Sequence, residues 1–459
     1  MIMIGCDSVK NIFEKRFKLE ENKTNIKTEI LAGITTFMSM SYIIFLNPTV
    51  LSQTGMNYNA VYAATIIASI IATLVMAFYA NVPYALSTGI GLGSLFTYTL
   101  CGSMGFTWGQ SLAIVYISGI LNFIVTITSL RKKIVTAIPM FMQNAITVGI
   151  GLFITYVGLI NAGIITFGAD SVVGGFAKNV IPQIANVKEH SVLLSIIGLI
   201  ITIILLLRKS KGAYLKGILI TTIIGIPLGV TSLPDFSNYT FLPSIAPTFM
   251  KIDFVGLFSV KTGLMVALMT IFTMCISDLF DSVGVFIGTG KKAGLFKIDK
   301  NGNLPKKLER AMIADSCGTI IGSIFGTANT TTYLESSVGI EAGGRTGLTS
   351  LTVACLFGLS LFFSPIIACV PMAAIAPVLI LIGMSMIESV SEIDWKDLNV
   401  AVPSFFTIVV MPFAYSITNG IEFGFITYAL VSLISKKTKD VSPIIFIFAV
   451  LFLLKYIVA

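Results

Sequence analysis

The segment Gly263–Ile287 is a long apolar run that carries two aspartates, Asp278 and Asp281, in its second half. At about 1.5 Å per residue, a helix of this length can cross a bilayer. A carboxylate at the bilayer centre costs at least about 2.5 kcal/mol, and residues three apart share one helix face. The run therefore predicts a membrane-spanning helix whose acidic face points into protein or a water-filled cavity.

Composition extends this prediction to the whole chain of 459 residues. Hydrophobic residues make up 55% of the sequence, charged residues only 11%, and the mean hydropathy is +0.92. A soluble domain carries about a quarter charged residues. The expected fold class is therefore an all-α polytopic membrane protein in the cell membrane. No cofactor and no metal site are expected.

The net charge of +8 is explained by the orientation of the chain in the membrane and does not indicate nucleic-acid binding. Basic residues cluster at positions where cytoplasmic loops are expected. These clusters are the tail from Lys10 to Lys27, Arg131–Lys133, Arg208–Lys211, the loop from Lys291 to Arg310, and Lys436–Lys437. Their alternation with apolar runs places the N-terminal tail, residues 1–27, in the cytoplasm.

Fourteen apolar segments are predicted to span the membrane, and we number them as spans 1 to 14. They lie near residues 28–48, 61–81, 86–101, 109–130, 139–161, 191–207, 213–231, 263–287, 311–326, 331–342, 349–369, 372–389, 400–416 and 420–435. Seven spans in each half give two repeats of inverted topology, residues 28–231 and 263–435. The apolar segment 441–459 belongs to neither repeat. The sequence is compatible with an extra span, a re-entrant piece or an interfacial helix there.

Spans 3 and 10 are poor continuous helices. Tyr84–Gly93 is rich in glycine, and Gly326–Glu335 is rich in threonine. We expect each to begin with a short extended piece followed by a half-helix, with the two extended pieces meeting near the membrane midplane. Irregular backbone at this depth persists only where it is buried or lines a cavity. The pair therefore predicts a binding site, to which the half-helix N-termini add free N–H groups.

Two more acids belong near this site: Glu335, directly after the threonine run, and Asp315 in span 9. No lysine or arginine lies deep in a span to neutralise them. Buried, unpaired carboxylates favour protonation, so the site suits a proton-coupled carrier, although the same oxygens could hold sodium. Carboxylates accept N–H groups from a flat heterocycle, whereas inorganic anions would be repelled.

Several stretches resemble the AzgA-like adenine/guanine/hypoxanthine permeases of the nucleobase–cation symporter-2 family. The matching stretches are Ala32–Phe37 with Tyr42–Pro48, Gly149–Ile154 with Asn161–Ile164, Asp278–Gly284, Ala314-Asp315, and Thr332–Ser336 with Gly343–Thr349. They occur in order along nearly the whole chain. The family's third span usually reads Ala-Pro-Gly-Met-Gly-Leu-Asn-Ala, whereas Ser87–Ser94 lacks the proline and the asparagine.

The resemblance implies a core domain of spans 1–4 and 8–11 that moves against a gate domain of spans 5–7 and 12–14. It implies that Asp281 and Glu335 hydrogen-bond a purine base, and that the backbone around Ser87–Gly91 completes the pocket. The candidate site residues that follow are Asp281, Glu335, Thr88, Gly89 and Tyr333 for substrate, with Asp278 and Asp315 for proton coupling or site support. Tyr333 is the candidate for stacking on the base.

Each assignment has a structural alternative. Asp281, Asp278 and Asp315 could orient the bundle, Glu335 could cap its half-helix, and Asn329 could serve an ordinary loop or cap role.

The expected partners are a purine base, protons and the lipid bilayer, with a homodimer left open. The alternative functions are a uracil or xanthine permease, an anion carrier of the same fold, a passive channel, and an intramembrane aspartyl protease.

Overall fold

The computed structural model describes residues 13–128, 138–167, 172–173, 176–177, 182–233, 243–259, 263–292, 305–363, 367, 369–436 and 441–458. The basic cluster Arg131–Lys133 and most of the loop from Lys291 to Arg310 lie outside these residues. The repeat boundaries that rest on the basic clusters stay predictions.

Helices occupy every span predicted for the first repeat. Span 1 is Ile26–Met40 continued by Ile43–Ser52, span 2 is Tyr58–Val75 with a π-helical end Met76–Ala80, span 4 is Trp108–Ile127, span 5 is Met140–Asn161, span 6 is His190–Leu207, and span 7 is Ala213–Gly225. Span 3 consists of strand β1 (Leu86–Thr88), a short helix Ile90–Ser94 and a π-helical segment Leu95–Ser103.

The second repeat follows the same plan. After a short helix Phe254–Leu257, span 8 is Leu264–Lys292, span 9 is Lys306–Phe325, span 11 is Gly347–Ser360 with a 3-10 turn Leu361–Phe363, span 12 is Met372–Ile387 with a 3-10 turn Glu388–Glu392, span 13 is Leu398–Phe413, and span 14 is Ile417–Ile434. Span 10 consists of a strand, Thr330–Thr332, and a short helix, Ser336–Glu341. Among the described helices, seven are long and apolar enough to cross a membrane.

The loop between spans 5 and 6 contains four strands that we did not predict. They are β2 (Ile165–Phe167), β3 (Val172–Val173), β4 (Phe176–Ala177) and β5 (Pro182–Ile184), and the strand of span 10 is therefore β6. β2 pairs with β5 and β3 pairs with β4, both antiparallel. β-Branched residues such as Ile165 and Thr166 favour this pairing, but strands of two or three residues are too short to show a period in sequence.

The two extended pieces predicted for spans 3 and 10 do meet. β1 and β6 pair antiparallel, with Leu86 opposite Thr332, Ser87 opposite Thr331, and Thr88 opposite Thr330. All residues of both strands are buried. Because the two repeats supply one strand each, the crossing satisfies backbone groups that neither interrupted span could satisfy alone.

Contacts between the described helices fall into two groups. Spans 1, 2, 4 and 8–11 pack around the strand crossing, and spans 5–7 and 12–14 pack on one another. In the second group, spans 5 and 12 approach closely, since a Cβ on Gly151 would lie 2.8 Å from the Gly383 carbonyl oxygen. Pro139 and Pro371 directly precede these two helices, as expected of repeat-related positions.

The leftover segment forms a helix, Pro443–Val458, that packs along span 14 and also contacts span 8. Its buried side includes Ile445 and Phe452, and its exposed side carries Ile447 and Ile457. An interfacial helix needs a polar exposed face. The apolar exposed face therefore favours a helix embedded in the membrane.

A buried carboxylate ties the two repeats together at the N-terminus of span 11. Glu29 of span 1 is fully buried. It accepts hydrogen bonds from the backbone N–H of Arg345 at 2.9 Å, and from the backbone N–H and the hydroxyl of Thr349 at 3.2 and 2.6 Å. A carboxylate at a helix N-terminus satisfies free N–H groups and complements the helix dipole.

We expect Glu29→Ala to destabilise the protein by about 2–3 kcal/mol, because it leaves several buried donors unpaired. The measurement is the apparent thermal unfolding midpoint in detergent, with replacement of the exposed Glu20 by alanine as the matched control. Equal midpoints for the two variants would contradict the capping role.

Candidate functional site

Asp281 faces the strand crossing from span 8. Its carboxylate is half-buried and lies beside the Thr331 hydroxyl. Gly89, directly after β1, places no side chain in front of it. A Cβ at Gly89 would lie 2.6 Å from the Thr331 methyl carbon and 3.5 Å from Asp281 Oδ2. Any larger residue at position 89 would therefore displace Thr331 or fill the space next to the carboxylate.

Glu335 reaches the same region from span 10. It is half-buried, directly precedes the short helix Ser336–Glu341, and makes no side-chain capping hydrogen bond to it. Its Oε1 instead accepts a hydrogen bond from the Tyr42 hydroxyl. Tyr42 lies at the break in span 1. The described hydrogen bonds thus favour a carboxylate directed toward span 1 over the capping alternative.

Tyr333 and Thr88 hold the two strands together. The buried Tyr333 hydroxyl donates to the Thr88 carbonyl oxygen. The Thr88 hydroxyl lies 2.9 Å from the Thr327 hydroxyl, which accepts from Asn47 Nδ2 at 2.9 Å. Because both hydroxyls already have protein partners, these two residues shape the site. The stacking role of Tyr333 stays a prediction.

Asp315 fixes β6 to span 9. It is buried, and its Oδ1 accepts from the Thr332 backbone N–H at 2.9 Å and from the Thr332 hydroxyl at 2.8 Å. Its Oδ2 accepts from the Ser282 hydroxyl, which also lies 2.9 Å from the Thr331 hydroxyl. Spans 8 and 9 and the strand crossing therefore share one hydrogen-bond network.

Asp278 lies on the side of span 8 that faces spans 4 and 9. Its Oδ2 accepts from Asn122 Nδ2 at 2.9 Å and from the Thr319 hydroxyl at 3.1 Å. Asp278 is 2% exposed and Asp315 is 3% exposed, whereas Asp281 and Glu335 are only half-buried. The four acids thus divide into two that are enclosed by protein and two that remain partly accessible.

The accessible acids lie where the two helix groups meet. The Tyr42 ring contacts Tyr214 of span 7, with ring centres 5.4 Å apart and an edge-to-face angle of 75°. A Cβ on Gly91 of span 3 would lie 3.0 Å from a methyl carbon of Ile150 in span 5. A molecule held by Asp281 and Glu335 would therefore contact the seam between the two groups.

Three polar residues of this region were not among the predicted site residues. Tyr42 binds Glu335, Asn122 binds Asp278, and Asn329 is fully buried beside Asp278, although its sequence position indicates a loop or cap role. The available sequence signal is a polar side chain inside an apolar run, as at Asn122.

Crossed, interrupted spans with acids at the crossing are typical of a secondary transporter. Residues 27–423 match the Xan_ur_permease model, described as a permease family. The chain belongs to this xanthine/uracil permease family, and it is a transporter rather than an enzyme.

Curated relatives match over nearly their full length. A putative permease of Methanocaldococcus jannaschii is 42% identical, over 98% of this chain and 99% of the relative. The guanine/hypoxanthine permease PbuO of Bacillus subtilis is 37% identical, over 96% and 99%. The adenine permease AdeP of Escherichia coli is 37% identical, over 98% and 97%.

Solved structures confirm the fold class. The transmembrane domain of the cyanobacterial bicarbonate transporter BicA matches with a TM-score of 0.61 at 15% identity, covering 87% of this chain and 97% of that domain. SLC26A9 matches with a TM-score of 0.60 at 12% identity, covering 94% of this chain and 70% of that chain. This is the fold of two inverted seven-span repeats.

The two classes of acid differ in their expected effect on stability. Asp315→Ala leaves the Thr332 and Ser282 donors unpaired inside the protein, so we expect a loss of about 2–3 kcal/mol. Asp281→Ala removes a carboxylate that is only half-buried and should change stability by less than about 1 kcal/mol. Apparent unfolding midpoints of the two variants in the same detergent test this, and a larger loss for Asp281→Ala would reverse the assignment.

Proposed function

We propose that this protein imports purine nucleobases, namely adenine, guanine or hypoxanthine, by proton symport with alternating access. The observation that carries the proposal is the pair Asp281 and Glu335, one acid on span 8 and one on span 10, both partly accessible at the strand crossing. The names of the bacterial relatives support purines as the substrate class.

The chemistry of the pair suits a flat heterocycle. Each carboxylate can accept N–H groups of the base, and a charge-assisted hydrogen bond of this kind is about twice as strong as a neutral one. Gly89 adds no side-chain atom of its own beside Asp281. Backbone N–H groups after β1 can donate to ring nitrogens or carbonyl oxygens of the base.

The position of the site supports alternating access. The group around the strand crossing forms the core domain, and the group of spans 5–7 and 12–14 forms the gate domain. Movement of the core against the gate would carry the base across the seam marked by the Tyr42–Tyr214 contact. Protonation of a site acid together with base binding favours this movement, and deprotonation in the cytoplasm releases the base.

The same site chemistry also suits xanthine or uracil, and the matched family bears their names. We therefore retain a uracil or xanthine permease as the second candidate.

We place the chain in the cell membrane with its N-terminal tail in the cytoplasm, in keeping with the distribution of basic residues. A homodimer is compatible with this arrangement.

Replacing Asp281 or Glu335 by alanine should reduce purine uptake at least tenfold, because a hydrogen bond to a charged group is worth about 1.5–3 kcal/mol. The measurement is uptake of radiolabelled adenine, guanine and hypoxanthine by cells, normalised to the amount of protein in the membrane. Replacement of the exposed Glu341 by alanine is the matched control. Normal uptake by both site variants would refute the assignment.

Competition by unlabelled xanthine and uracil in the same assay, with and without a protonophore, separates the two candidates. Purine import predicts weak competition by uracil and loss of accumulation with the protonophore. Strong competition by uracil or xanthine alone would select the alternative, and unchanged accumulation would exclude proton coupling.

Tyr42→Phe removes the hydroxyl that positions Glu335 and keeps the ring that contacts Tyr214. We expect KM for the purine to rise about two- to tenfold, since a single hydrogen bond contributes about 0.5–1.5 kcal/mol. Tyr62→Phe removes a hydroxyl bonded to the Ser360 carbonyl oxygen, outside the site, and is the control. An equal change in KM for both variants would show that Tyr42 has no particular role.

A further inference from the structure

We propose that Asp278, with Thr319 and Asn329, is the coupling-proton site, and that its protonation state acts on the substrate site through strand β6. This inference rests on the proposed proton symport and assigns its proton to a residue that does not contact the base. It is carried by the hydrogen bonds around Asp278 and by the buried amide of Asn329 beside it.

The two oxygens of Asp278 have different surroundings. Oδ2 accepts hydrogen bonds from Asn122 and Thr319. Oδ1 is shielded from solvent and has no hydrogen-bond partner among the described residues. Burying a charged carboxylate oxygen that accepts no hydrogen bond costs free energy. A proton on Oδ1 neutralises the carboxylate and so removes this cost.

Asn329 provides a partner for that proton. Its amide is fully buried and lies beside the Asp278 carboxylate, close enough to interact with it. Within the described part of the chain, no residue makes a hydrogen bond of good geometry to its Oδ1 or Nδ2. A protonated carboxyl group can donate to an amide oxygen, and an ionised one can only accept. A small rotation of one amide therefore lets Asn329 accept from the protonated form or donate to the ionised form.

Thr319 connects this site to β6. Its hydroxyl lies 3.1 Å from Asp278 Oδ2 and 3.2 Å from the Thr330 carbonyl oxygen. One hydroxyl proton can be given to only one of these acceptors at a time. Ionised Asp278 is a stronger acceptor than the Thr330 carbonyl oxygen, so the Thr319 hydroxyl donates to Asp278. Protonated Asp278 is the weaker acceptor, which leaves the hydroxyl to bind Thr330 and fasten β6 to span 9.

The strand carries this change to the substrate site over a short distance. Thr330 pairs with Thr88, the neighbouring Thr331 lies beside Asp281, and the Asn329 carbonyl oxygen accepts from the Gly89 N–H at 2.9 Å. Protonation thus favours the strand arrangement that sets Gly89 against Asp281. By linkage, a bound base then favours protonation of Asp278 to the same extent.

The charged neighbours of Asp278 support a single proton site. Asp315 from span 9 and Asp281 from the same helix interact with it electrostatically. Asn122 of span 4 and Asn329, directly before β6, face it with neutral groups. The Cys275 thiol donates to Asn122 Oδ1 at 2.9 Å. Asp315 already accepts three hydrogen bonds from neutral donors, so both of its oxygens have protein partners.

The test is the pH dependence of purine binding by the purified full-length protein. Dissociation constants of radiolabelled adenine, guanine and hypoxanthine are measured from about pH 5.5 to about pH 8.5. For the wild type, affinity should fall with rising pH by up to about tenfold per unit, the limit for one linked proton. In Asp278→Asn, an amide N–H replaces the acid proton, so affinity should stay near its low-pH value throughout.

Proton uptake evoked by the same purines in proteoliposomes should be lost in Asp278→Asn and retained in the control Glu341→Gln, which changes an exposed acid outside this network. A wild-type pH profile and normal proton uptake in Asp278→Asn would overturn the inference. Absence of purine binding by the wild type would instead refute the proposed function.

Thr319→Val keeps the size of the side chain and removes the shared hydroxyl, so it tests the same route if Asp278→Asn does not fold. We expect a pH dependence of binding at least threefold weaker than in the wild type. Thr330→Val, which keeps the backbone carbonyl that accepts from Thr319, should leave the pH dependence unchanged. Identical profiles for Thr319→Val and the wild type would exclude coupling through β6.

Discussion

The pairing of β1 with β6 is the interaction on which the rest of this structure depends. Two interrupted spans, one from each repeat, leave backbone N–H and carbonyl groups that lipid cannot satisfy. Antiparallel pairing over three residues satisfies them and fixes where each following half-helix begins. Glu335, Gly89 and Tyr333 owe their positions to this crossing, and Asp281 is placed against it by span 8.

Much of the fold could be predicted from sequence because lipid imposes a length and a hydropathy on a helix that crosses it, and seven of the described helices meet both. Glycines around Gly89 and threonines around Thr331 also marked where the helices stop. Partners that join distant segments could not be found this way. Tyr42 and Glu335 are 293 residues apart, and Asn122 and Asp278 are 156 apart. Nothing periodic in the chain links them, since each pair is created by tertiary packing.

The four acids show how one type of side chain serves different ends in the same network. Asp315 is surrounded by donors and acts as an anchor for β6. Asp281 and Glu335 retain accessible surface at the seam, where we propose that they bind the base. Sequence position alone ranks Asp278 and Asp281 as equivalent, because they are three residues apart on one helix face. Their hydrogen-bond partners separate them.

A transporter that couples two ligands must let each change the energy of the other, and the distance between their sites limits how this can occur. Here both acids of span 8 lie close to one strand. The Thr319 hydroxyl lies within reach of Asp278 and of the Thr330 carbonyl oxygen, and Thr331 lies beside Asp281. A rearrangement of one hydroxyl is then sufficient to connect them. Coupling over so short a path needs no large conformational change before the base binds, and the movement of core against gate can follow as a single later step.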